Sequence, residues 1–227
     1  MRNLAGLALV LAAAQGDAPL EYRFEQVKGK VVVTSGQQER RATTGAAAFG
    51  GDKVRTGLFG HALLSVPTHG CRFELFPLTR AVLTSDQPGV LLELQKGKLW
   101  AVFDALVGNQ ERLVATPGAT LAVRGTAYGV EVKSQGETFL AVFEGTVEVR
   151  SHLPEVPPVL VPAGHMCSFS PTQRPFSRPM PHGMSPETWR QRGAMGGMVP
   201  RDMDGHGEGG MGGTTRRPPS GMGPHRH

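Results

Sequence analysis

Residues 119–149 read ATLAVRGTAYGVEVKSQGETFLAVFEGTVEV, and this stretch decides the fold class. Apolar and polar residues alternate through Leu121 and Val123, then through Tyr128, Val130 and Val132. The run Thr138 to Phe143 is closed by Gly145 and resumes at Val147 and Val149. A period of two sends alternate side chains to opposite faces of a pleated strand, whereas a helix repeats its apolar residues at three and four. Glycine between such runs supplies the positive φ or tight bend that joins strands. The stretch reads as sheet.

The same chemistry extends in both directions. Val31 and Val33 flank Val32, Leu63 to Val66 follow a turn, and Phe73 and Leu75 flank Glu74. Val90 to Leu94 and Leu99 to Phe103 stand either side of Lys96-Gly97-Lys98, and Val159 to Val161 ends at Pro162. No run keeps a helical period for three turns. A loose repeat joins Val27 to Val31, Leu94 to Leu99 and Phe143 to Val147, each an apolar residue, a polar step, glycine and a fresh strand. Stacked units of this kind bury a face on the next turn of chain. The expectation is an all-β domain over residues 17–170, either β-solenoid-like or a two-sheet β-sandwich.

The ends differ from this body. Met1-Arg2-Asn3 precedes the apolar run Leu4 to Ala14, and Ala12 to Ala14 fit a small-residue cleavage site. Residues 1–16 therefore read as a signal peptide, with the mature chain starting near Gln15 or Asp17. The run is too short to span a bilayer, which takes about 20 residues, and no later window is long and apolar enough. The expected location is periplasmic or secreted. Residues 173–227 hold twelve Gly, eight Pro, seven Met and four His. A segment so poor in large apolar residues offsets little of its ordering entropy. Residues 171–227 are expected to be a disordered tail, with one short turn around Pro186 to Arg192 becoming helical on docking.

Net charge is +5, which raises a nucleic-acid partner. Its distribution argues against one. Residues 15–172 carry fifteen Lys and Arg against fifteen Asp and Glu, so the excess lies in the leader and tail. A neutral body lacks the basic footprint that phosphate backbones require, and aromatics for stacking are only 6% of the chain. Two cysteines, Cys71 and Cys167, form a candidate disulfide in an oxidising compartment. Closing so long a loop would stabilise by about 4–5 kcal/mol on the chain-entropy model. The alternative is a pair of buried thiols packed as small hydrophobes.

Four segments in order resemble the FecR domain family, named for the iron-dicitrate transport regulator. Gly50-Gly-Asp-Lys-Val-Arg-Thr56 resembles its G-D-x-V-x-T turn. Ala115-Thr-Pro-Gly-Ala119, Val123-Arg-Gly-Thr126 and Tyr128-Gly-Val130 are similar to its T-P-x-A and V-R-G-T-x-F-x-V core. Phe143-Glu-Gly-Thr-Val147 resembles E-G-x-V, and Val161-Pro-Ala-Gly-His165 resembles the closing V-x-A-G-E/Q. The resemblance implies a compact β-solenoid or sandwich-like domain. Where the family has D-G-S, this chain has Thr68-His-Gly-Cys71. FecR regulators carry a cytoplasmic sigma-factor-binding region and a spanning helix ahead of the domain, and here the leader takes that place. What carries over is a module that binds an envelope protein or ligand outside the cytoplasm, linked to signalling or envelope assembly.

Candidate residues follow. Arg124, with Thr126 and Tyr128 beside it, is the candidate partner-binding set, because a guanidinium suits bidentate recognition. The structural alternative pairs Arg124 with Glu131 or Glu144. Asp52 and Thr56, with Gly125 and Gly145, are expected to be turn residues, Asp52 accepting backbone N–H bonds. His69 and Cys71 invite a Cys–His nucleophile and hence an envelope hydrolase, which requires thiolate and base side by side. No hydrolase, zinc-protease or nucleotide-binding motif is present, so the expectation is no enzyme. In the tail, Met180, His182, Met184, His206, His225 and His227 mix thioether and imidazole ligands of the kind that select copper. A metal-handling protein is the alternative function, and no other cofactor is expected.

Overall fold

In the computed structural model, residues 20–84, 88–104 and 111–194 are described. Among them are fifteen strands, a 3-10 turn at Pro67–His69 and one α-helix, in order: β1 (Glu21–Lys28), β2 (Val31–Ser35), β3 (Gln38–Arg41), β4 (Ala47–Phe49), β5 (Lys53–Thr56), β6 (His61–Val66), β7 (Cys71–Leu75) and β8 (Arg80–Leu83). Then come β9 (Val90–Phe103), β10 (Arg112–Ala115), β11 (Ala119–Val132), β12 (Thr138–Ser151), β13 (Val159–Pro162), β14 (His165–Ser170), β15 (Gln173–Pro179) and α1 (Pro186–Ala194). The expected all-β class is what the structure shows.

All strands belong to one hydrogen-bonded sheet, which three long strands bend into two layers. The first half of β9 pairs with β8 and β10, and its second half with β7 and β11. The first half of β11 pairs with β10 and the end of β12, and its second half with β9 and the start of β12. Likewise β12 pairs with β14 through residues 138–142 and with β13 through residues 146–149. One layer therefore runs β4-β1-β6-β7-β9-β11-β12-β14-β15, and the other β3-β2-β5-β8-β9-β10-β11-β12-β13. Strands that switch layers through bends are how sandwich corners are made.

The bends fall at the glycines between the alternating runs. Gly97, Gly125 and Gly145 have φ of 97°, 55° and 71°, a region open to glycine at little cost. At Gly125 the β11–β12 register shifts between Arg124 and Ala127. The sequence reading separated strands at Gly97, Gly125 and Gly145. The chain instead continues hydrogen-bonding through each of them, because a single positive φ redirects a strand without ending it. Of the three glycines in the loose repeat, Gly29 alone stands at a strand junction, between β1 and β2.

One buried cluster fills the space between the layers, with Leu64, Phe73 and Leu140 from one and Val54, Leu92 and Val149 from the other. At about 1.5–3 kcal/mol per fully buried aliphatic or Phe side chain, it is the main stabilising term.

The folded part outruns the expected boundary at residue 170. Residues 173–179 add strand β15 to the edge of β14, and residues 186–194 form α1. Gln173 to Pro179 alternates so that Pro175 and Ser177 are half-buried while their neighbours face out, and this short ladder escaped a reading based on bulk composition. The helical turn around Pro186 is present. The rest of the expected tail, residues 195–227, and residues 1–19, which include the expected leader 1–16, lie outside the described residues. Among the described residues, no helix is long and apolar enough to cross a membrane.

Candidate functional site

The family-like motifs are spent on backbone architecture. Asp52 is buried, and its Oδ2 accepts the Phe49 N–H at 3.0 Å, closing the turn into β5. Thr56 Oγ1 donates to the Phe76 carbonyl at 2.6 Å and accepts the Thr79 N–H at 2.8 Å, tying β5 to the segment after β7. Thr116 Oγ1 donates to the Ala119 carbonyl at 2.7 Å, clamping the Pro117-Gly118 turn between β10 and β11. Gly145 lies against Gly125: a Cβ on Gly145 would stand 2.5 Å from the Gly125 carbonyl oxygen. Two motifs distant in sequence thus meet at one corner.

The candidate partner-binding set is split by burial. Arg124 is exposed, but Thr126 and Tyr128 are 0% exposed, so neither of these side chains faces a partner. Both point into the core, since the bulge at Gly125 sets which face follows it. Burial drives the Tyr128 hydroxyl well above its ordinary pKa, and its ring stacks on Phe103 at 6.1 Å. Arg124 does not pair with either expected acid: Glu131 takes Lys98, at 3.6 Å.

The candidate disulfide is absent. Cys71 and Cys167 are free and buried, on β7 and β14, with four strand pairings between them. Each packs as a small hydrophobe in the common core, which is the alternative reading. Burial pushes the Cys71 thiol up to about 12, against a smaller downward pull from Arg112, and Cys167 up to about 11. His69 hydrogen-bonds the neighbouring Thr68 hydroxyl at 2.9 Å, and burial followed by Arg112 holds its imidazole below the ordinary value. A protonated thiol without a hydrogen-bonded base is no nucleophile at neutral pH.

The tail residues fare similarly. Met180 and Met184 pack against a buried apolar cluster on the outer sheet face, while His182 is exposed. His206, His225 and His227 lie outside the described residues. Among the described residues, no group of three His, Cys, Asp or Glu is placed to hold a metal.

That apolar cluster was not expected from sequence. On the outer face of the first layer, Trp100 of β9 lies beside Gly129 of β11, which lies beside Ala141 of β12. Trp189 of α1 settles over Gly129, where a Cβ would collide with the indole. Lys98 stands 4.9 Å over the Trp189 ring. Beside it, Arg190 donates from Nε and Nη2 to Glu74 Oε2 at 2.8 and 2.6 Å, and His61 Nε2 lies 2.8 Å from Glu74 Oε1. Burial raises the Glu74 carboxyl, but the hydrogen bonds from His61 and Arg190 outweigh it and hold the group below the ordinary carboxylate value. A lone Trp in a Gly-rich segment was the only sequence signal for this contact.

Three of the sheet's outer strands have further consequences. β3, β13 and β15 each pair on one side only. β3 carries four exposed polar residues, the usual protection of an edge. β13 and β15 instead present Leu160 and Phe176, 64% and 63% exposed.

Comparison with known proteins places this geometry in context. A search of curated proteins finds no match. Two crystal structures of a "putative anti-sigma factor" from Parabacteroides distasonis are similar, each with 18% identity and a TM-score of 0.48. The similarity covers 56% of this chain and spans 59% of the length of those chains. The model of the FecR protein family matches residues 52–148. Those residues contain Gly97, Gly125 and Gly145, so the segment that folds the sheet into two layers is the one similar to the FecR family.

Proposed function

We propose that the protein works outside the cytoplasm as a non-catalytic module that binds an envelope or secreted protein. The FecR match supports a binding role, and the engagement of its motif residues in turns and bends leaves recognition to the surface. The observation that carries the reading is the pair of outer strands β13 and β15, each with one free edge and one large apolar side chain facing solvent. Free strand edges supply main-chain hydrogen bonds to an added strand, and exposed apolar residues supply its pockets.

In-cell photo-crosslinking from position 160 or 176 tests it. A protein partner should be captured from the envelope fraction, and the double substitution Leu160→Asp/Phe176→Asp should abolish capture while leaving the melting temperature unchanged. Capture that survives the substitution removes this surface from the proposal. Export rests on the leader pattern, and N-terminal sequencing of the recovered protein should read from near Gln15 or Asp17. Cytosolic protein that retains Met1 would contradict it.

A further inference from the structure

Lys30, Arg55, Arg80 and Lys96 are far apart in sequence, yet they line one cleft of about 340 Å³ on the outer face of the second layer. Cross-strand register puts them there. Val32 of β2 faces Arg55 of β5, Arg55 faces Arg80 of β8, and Arg80 faces Lys96 of β9. Neighbouring strands lie about 4.8 Å apart, and like charges placed directly opposite repel. All four cations are exposed. Glu39 offsets part of the row, its Oε1 standing 3.8 Å from Arg55 with both side chains more than half exposed. Lys30, Arg80 and Lys96 have no ion-pair or hydrogen-bond partner for their side chains among the described residues.

The same cleft has an apolar border. Leu78 lines it at 51% exposure, held at φ 60° with its N–H donating to the Gly57 carbonyl at 3.1 Å. Gly57 also lines the cleft and opens a tight turn, closed by Gly60 N–H to Gly57 carbonyl at 3.0 Å. The two residues at the tip of that turn are Leu58 and Phe59, 60% and 83% exposed. Turn tips ordinarily carry Gly, Pro, Asn or Asp.

We propose that this end of the second layer docks on an anionic phospholipid surface. Lipid phosphates occupy the cation-lined cleft, while Leu58 and Phe59 enter the boundary between headgroups and acyl chains. A cation cluster and a small apolar insertion are each weak anchors, and peripheral binding becomes stable when two such signals combine. Because residues 15–172 are neutral as a whole, the attraction is local to this face and is screened by salt.

Co-sedimentation of the full chain with phosphatidylcholine vesicles, with and without phosphatidylglycerol, is the test. Binding should require phosphatidylglycerol and fall as salt rises. Arg80→Gln/Lys96→Gln should weaken it by about tenfold or more, and Leu58→Ser/Phe59→Ser should weaken it at an unchanged melting temperature. Arg80→Glu, which makes the row alternate in sign, should abolish binding while raising thermal stability. Failure to bind phosphatidylglycerol vesicles overturns the proposal. So does equal binding by the cleft variants, which would assign the attraction to the arginine-bearing C-terminal segment. Saturable binding of tripolyphosphate by a chain that ignores vesicles would make the cleft a soluble-polyanion site and equally overturn the lipid assignment.

Discussion

At the scale of the residue, the glycines at the bends do what no other residue can. A Cβ on Gly145 meets the Gly125 carbonyl at 2.5 Å and the Thr126 methyl at 2.8 Å, and one on Gly97 meets Thr79 Cα at 2.5 Å. Gly164 has a similar φ, 79°, but open space around it. Gly145→Ala should therefore cost about 2–4 kcal/mol, combining backbone strain with overpacking. Gly164→Ala should cost about 1–2 kcal/mol, strain alone. Urea unfolding of the two variants separates them, and equal losses would show that the corner contact contributes nothing. The cysteines give a second check. Both thiols should resist labelling in the native protein and react without reductant once unfolded; a protein that needs reductant would contain the bridge that the structure lacks. Sequence marked these glycines and cysteines, but not their neighbours, because neighbours across a sheet are set by register.

At the scale of the element, α1 shows how a poor helix is held. Nine residues are too few for stability in isolation, and the helix is anchored by the buried side chain of Trp189. The surface beneath is already built: Gly129 leaves a hole between Trp100 and Ala141, and Trp189 fills it. Trp189→Ala should cost about 3–5 kcal/mol of docking free energy, seen as protease cleavage after residue 180. Gly129→Ala should release the same segment, and the double variant should add little to either single one; additive losses would mean the indole does not depend on that hole. The Glu74 carboxyl adds a pH dependence. Its value is depressed in the folded state from the ordinary 4.5, so its contribution is complete above pH 4.5 and disappears as pH falls through the lower folded value. Acidification across that window should loosen α1 in the wild type and less so in Glu74→Gln. Composition hid all of this. Averaged over residues 173–227 the segment cannot pack on itself, but one Trp and one strand suffice against an existing surface.

At the scale of the whole molecule, three strands shared by both layers make the sheet one mechanical unit. β9, β11 and β12 cannot lose one half without unpairing the bend that supports the other. Far-UV circular dichroism and Trp100 fluorescence in a Trp189→Phe background should therefore report a single coincident unfolding transition. Two separated transitions would show that the layers fold independently. The sequence by itself determined the sheet chemistry, the bend positions and the motifs that match FecR, since strand period and glycine φ belong to residues adjacent in the chain. Only the tertiary structure decided that the bends stay within continuous strands, that Tyr128 and Thr126 face inward and that the cysteines stay apart. It alone brought Trp189 onto Gly129 and set Arg55, Arg80 and Lys96 in one row. Those facts depend on which strand lies beside which, a choice made by burying the apolar faces of the entire chain at once.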